Sequence, residues 1–170
     1  MIGKLACAAL ATAALALAAC FPEQASTERL TYQAPGPPGA CYTSGDLGIV
    51  HARMTQQVFA TATLGCKAAN GTRRFNQHYT DFIRKFEGDL AANAESLQDV
   101  ADRKGLNVDA VVTEMANRTA GRFNEPGFCS RVERGLNWSL SPKVTSLRQV
   151  PPPYDFSPEM RMLPCPGARA

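Results

Sequence analysis

FNQHYTDFIRKFEGDLAANAESLQDV, residues 75 to 100, places Phe75, Tyr79, Phe82, Ile83, Phe86, Leu90, Ala94, Leu97 and Val100 in steps of three, four and one. That spacing is the apolar stripe of an amphipathic helix, and no strand period fits it. Asp81, Lys85 and Asp89 follow one another at four-residue intervals on the flank, where opposite charges can pair. Gly88 interrupts the run at a cost of about 1 kcal/mol relative to Ala and marks a kink or a break. Arg73 and Arg74 stand at the positive end of the helix dipole, a placement that packing does not explain.

Similar patterns lie on either side. Ser44-Gly45-Asp46 offers a cap and an early acid, followed by Leu47, Val50, Met54, Val58, Thr61 and Leu64, which predicts a helix over 45–67. Asn70-Gly71 ends it. Gly105 closes the central helix, and Asn107 or Asp109 opens another that carries Val108, Val111, Val112, Met115 and Ala116. Asn124-Glu125-Pro126-Gly127 is a turn, and a short helix follows with Phe128, Val132, Leu136 and Trp138. No long β-branched or alternating run argues for a sheet. The expected fold is all-α, a small antiparallel domain of three to four helices over 43–138, with an irregular Pro-rich tail over 139–170.

The amino-terminal segment has a different character. Met1 to Lys4 is a short basic stretch, and Leu5 to Ala19 is an apolar run of Ala, Leu, Cys and Thr. The run is shorter than the roughly 20 residues that a membrane-spanning helix needs. It ends in Leu17-Ala18-Ala19-Cys20, which resembles the lipobox of bacterial lipoproteins. The resemblance implies a signal peptide over 1–19, a diacylglycerol on the Cys20 thiol, cleavage after Ala19 and an acylated, typically palmitate-bearing, new amine. Two or three acyl chains, at about 0.8 kcal/mol per buried CH₂, anchor stably where one would not. By the enterobacterial sorting rule, Phe21 in place of Asp favours the outer membrane, with the domain facing the periplasm. Ala16-Leu17-Ala18 also suits ordinary signal peptidase, which would release a soluble periplasmic protein, and an uncleaved anchor is a third possibility. From Cys20 to Tyr42 the chain is polar and then Pro/Gly-rich, through Ala34-Pro35-Gly36-Pro37-Pro38-Gly39, and reads as a flexible tether.

Export sets the cysteine chemistry. With Cys7 in the leader and Cys20 lipidated, Cys41, Cys66, Cys129 and Cys165 remain, an even number for an oxidising compartment and a sign of two disulfides. Cys41 and Cys66 flank the first helix and would lie roughly 30 Å apart, too far to bond. Antiparallel order brings Cys66 and Cys129 to the same end, which favours that pair and leaves Cys41 with Cys165. Zinc is the rival use of four cysteines, but no CxxC or clustered His accompanies them.

Little in the chain points to catalysis. His51 and His78 fall at different depths of the helical hairpin and cannot share an ion or a dyad. Asp81, Glu87 and Asp89 alternate with Arg84 and Lys85 as a solvated face does. The Phe75, Tyr79, Phe82 and Phe86 stripe reads as core before it reads as a ligand groove. Asn117-Arg118-Thr119 and Asn137-Trp138-Ser139 match a eukaryotic glycosylation sequon, irrelevant behind a bacterial leader. Pro151-Pro152-Pro153-Tyr154 is a polyproline-type segment, read as an inert wrap or a docking strand. Net charge is +3, and +2 without Lys4, with scattered basic residues and no footprint for nucleic acid. From 54 to 130, Cys66 behind an apolar helix, the helix bearing Phe75, Phe82, Phe86 and Leu90, and Phe128-Cys129 resemble small exported alphaproteobacterial proteins of unknown function. The expected role is that of a non-enzymatic envelope lipoprotein without cofactor or metal, held to membrane lipid through Cys20 and bound to an envelope protein. A periplasmic carrier of small ligands or lipids, and an envelope hydrolase, are the alternatives.

Overall fold

Thr43 begins the first helix as a capping residue. Its hydroxyl accepts from the Asp46 N–H at 3.1 Å, and the Asp46 carboxylate accepts from the Thr43 N–H at 3.0 Å, so two amides that lack helical partners are satisfied reciprocally. From that cap a computed structural model, which describes residues 40–166, runs α1 over Ser44–Gly65. The expected leader, Cys20 and the Pro/Gly-rich segment through Gly39 lie outside the described residues. Four more helices follow: α2 (Asn76–Lys85), α3 (Glu87–Lys104), α4 (Val108–Gly121) and α5 (Phe128–Leu140), with a 3-10 turn at Leu147–Gln149. The domain is all-α. Among the described residues, β contacts are limited to two isolated bridges.

Among the described residues the count is five helices, not three to four, because the 75–100 run divides. Phe86, at φ −111° and ψ 21°, closes α2 and opens α3. Its N–H still reaches Phe82 O at 3.1 Å and its carbonyl still receives Leu90 N at 2.8 Å, so the interruption is a bend. The two halves have different partners: α2 lies chiefly against α5, and α3 against α1. Gly88, the expected break, is an ordinary helical residue two positions later. The flank pairs also differ from expectation. Asp81 meets Arg84, Lys85 donates to the carbonyls of Ser139 and Ser141, and Asp89 accepts from the Leu147 N–H at 2.6 Å.

Helix α1 is the hub, touching every other helix. Val50, Met54, Val58, Phe59 and Ala62 are buried along it, whereas Leu64, expected on the stripe, is exposed. Phe82 meets Phe59 edge-on at 5.0 Å, so the aromatic stripe of α2 is core, as its spacing suggests. Gly65 has no side chain because Phe123 fills that space: a Cβ there would fall 2.4 Å from the ring.

Charges join the foot of α1 to the end of α3. Arg103 bonds Asp46 at 2.7 Å, and Lys104 approaches it at 3.8 Å while donating to Cys41 O. Cations at a helix C-terminus and an acid at a helix N-terminus both suit the dipoles. Burial alone would raise the Asp46 carboxyl, but hydrogen bonds from Thr43 and the Arg103 charge outweigh it and hold the pKa below the ordinary value. A carboxyl lowered in the folded state contributes stability above its unfolded pKa, and that stability is lost as pH falls through the folded value. Asp46→Asn is therefore expected to cost about 1–2 kcal/mol at pH 7 and distinctly less at pH 3. Thermal denaturation at both pH values measures this, and equal losses would remove the charge from the account.

Two disulfides close the fold. Cys66 bonds Cys129, with Cα atoms 5.8 Å apart, where α1 ends and α5 begins. Cys41 bonds Cys165, with Cα atoms 4.6 Å apart, beside backbone hydrogen bonds from Tyr42 N to Leu163 O and from Cys165 N to Tyr42 O. Between them, the chain after α5 supplies Val144, Leu147, Val150, Phe156, Met160 and Met162 to the core.

Candidate functional site

The segment after α5 packs on α1 through two sets of contacts, from residues 146–152 and from residues 155–157. At the first, residues 146–152 lie over Gly48 and Ala52 of α1 and form a groove with the start of α3. The part toward α3 encloses about 330 Å³ between Ile49, Asp89, Ala92, Asn93, Ser96 and Leu147. A continuation of about 310 Å³ runs toward His51 and Pro151. Gly48, Ala52, Leu147 and Arg148 border both parts.

Local sequence dictates these walls. Asn93 falls on the buried side of α3 with Leu90, Leu97 and Val100, because three-, four- and three-residue steps keep one face. Its Nδ2 donates to Ile49 O at 2.9 Å, which fixes the amide with Oδ1 as the remaining group; that oxygen is buried and has no hydrogen-bond partner. Ser146 caps the 3-10 turn, with Gln149 returning to its backbone, and Asp89 receives the next amide. The turn then holds Arg148 outward, with Nη2 over α1 at 3.8 Å from where a Cβ of residue 48 would sit.

At the second, His51 meets Ser157 and Asp155. Nε2 lies 3.0 Å from Ser157 Oγ and 3.4 Å from Asp155 Oδ1. A nucleophilic triad needs the serine on one ring nitrogen and the acid on the other. Here both approach Nε2, Ser157 is buried, and its N–H is turned onto Asp155 Oδ1 at 2.8 Å. The contact fastens the C-terminal segment to α1.

The other singled-out residues fall elsewhere. His78 is exposed on α2, away from the contacts that His51 makes with Ser157 and Asp155 in the C-terminal segment. Tyr154 of the polyproline segment is stacked between Phe128 and Phe156, at 5.4 and 6.1 Å, under the Arg131 guanidinium. Asn93 and Arg148 were not singled out by sequence, because Ala94 reads as the stripe position; it is exposed and Asn93 buried. The signal that was present is a polar residue at a core position. Among the described residues, no His, Cys, Asp and Glu cluster is arranged to hold a metal ion, and no helix is long and apolar enough to cross a membrane. Comparison of the chain with protein-family models, with curated proteins and with solved structures finds no match.

Proposed function

We propose that the chain is an envelope lipoprotein, held to the outer membrane by acyl chains on Cys20, that presents its helical domain to another envelope component as a non-enzymatic binding module. The observation that carries the reading is the joint presence of Leu17-Ala18-Ala19-Cys20 and a domain closed by two disulfides. Disulfides persist in oxidising compartments, which is where the lipobox would deliver the domain.

The join between tether and domain supports the same reading. Residues 20–40 can extend over roughly 60 Å at about 3.1 Å per residue, enough to hold a domain well clear of the lipid surface. They meet the domain at Cys41, which is bonded to Cys165. A pull from the lipid is therefore shared covalently between both ends of the domain, and peeling α1 from its foot requires more than breaking the Tyr42 contacts.

Cys20→Ser is expected to move most of the protein from the membrane to the soluble fraction while leaving its melting curve unchanged. Fractionation of envelopes on a density gradient measures this. A variant that stays with the outer membrane would sink the lipid anchor. Crosslinking in intact cells should also capture the same envelope component with wild type and lose it with Cys20→Ser.

A further inference from the structure

We infer that the groove between α1, α3 and residues 146–148 binds a small zwitterion carrying an ammonium and an acid group a few ångströms apart. One wall offers acceptors. Asn93 Oδ1 is buried and unpartnered, and an acceptor left so costs about 1–3 kcal/mol, which an entering N–H donor recovers. One turn earlier on the same face, Asp89 supplies a carboxylate that makes no ion pair among the described residues and uses one oxygen on the Leu147 N–H. The other wall offers a cation. Arg148 is exposed, makes no ion pair among the described residues and lies beside Gly48, with Nη2 at ordinary contact distance, 3.8 Å, from where a Cβ would stand. Arginine presents a planar fork that suits a carboxylate or phosphate oxygen pair. Between the walls, Ala52, Ala92 and Leu147 supply apolar surface, and about 330 Å³ matches a small ligand. Acceptors facing a guanidinium select a molecule with both charges over an amine or an acid alone. Asn93 Oδ1 is closed to solvent, so its own wall must open slightly to admit the donor.

The same pair of charges occurs in a free amino acid and in the phosphoethanolamine headgroup of a lipid, and the test separates them. Calorimetric titration of the full chain in mild detergent uses glycine, L-alanine, L-leucine and L-glutamate in one arm and glycerophosphoethanolamine in the other. At least one is expected to bind with a dissociation constant below about 1 mM. Binding in the first arm assigns the free compound, and binding in the second assigns the headgroup. Blocking the ammonium or the acid group of the bound compound should weaken it by about tenfold or more. Arg148→Ala should weaken the intact zwitterion equally, leave the acid-blocked form unchanged and leave the melting temperature unchanged. Asn93→Leu should abolish the preference for a free ammonium. Absence of heat from every probe up to about 10 mM, or binding that Arg148→Ala leaves intact, overturns the assignment.

Discussion

A chain that stops after Leu140 should not fold. It keeps all five α-helices, and a reading by helices alone would make it a complete domain. It loses six buried apolar side chains, each contributing about 1.5–3 kcal/mol on burial, so on the order of 10 kcal/mol disappears. That equals the entire stability of an ordinary domain. The same cut opens the Cys41–Cys165 disulfide and strips specific partners from α1: Thr55 Oγ1 loses Val150 O, His51 loses Ser157, and Met54 loses the Phe156 amide. The truncated protein should show helical circular dichroism without a cooperative melt. A sharp transition within a few degrees of the full chain would show that the last segment is a passive wrap. Phe156→Ala is the graded form, with an expected loss of about 3–5 kcal/mol for one fully buried ring.

This segment also shows where the sequence is legible and where it is not. The helices announce themselves because a 3.6-residue period repeats over several turns in Val50, Met54 and Val58, or in Phe82, Phe86 and Leu90. Val144, Leu147, Val150, Phe156, Met160 and Met162 keep no sustained period, the three-residue steps from Val144 ending at Val150; their burial is decided by where residues 141–166 pack on α1, a tertiary fact that no local window contains. The prolines around them read as exposed irregular chain, although proline constrains the backbone without deciding which side chains face inward. The bend at Phe86 was hidden for a related reason. Gly88 is the weaker helix former, yet the direction changes where the packing partner changes from α5 to α1. In the groove, one residue made the difference. A polar Asn93 beside an apolar Ala94 invites assigning the alanine inward, and the amide can go inward only because Ile49 O receives its Nδ2.

The cysteines were legible for the opposite reason, since helix length turns sequence spacing into distance, and they carry the second large effect. Replacing Cys66 and Cys129 together with alanine is expected to remove about 4 kcal/mol, the loop-entropy value for a ring spanning 63 residues of separation. The two rings are nested, because 41–165 encloses 66–129. With the inner bond closed, the outer bond closes only roughly 60 further residues, so it contributes a similar amount; with the inner bond removed, the outer bond constrains the whole stretch and its share rises only logarithmically. Losing both should therefore cost close to twice the loss of either, and the domain would be unfolded or nearly so at 37 °C. Cys66 is buried in the core at the α1–α5 end, so alanine also leaves a small cavity there, and the native ring loss sets a minimum for the effect. Urea denaturation of the wild type, each double-alanine variant and the quadruple variant measures the four values. If removal of the inner pair lowered stability by less than about 1 kcal/mol, the denatured chain would have to be held compact without it, and the disulfides would serve some purpose other than stability.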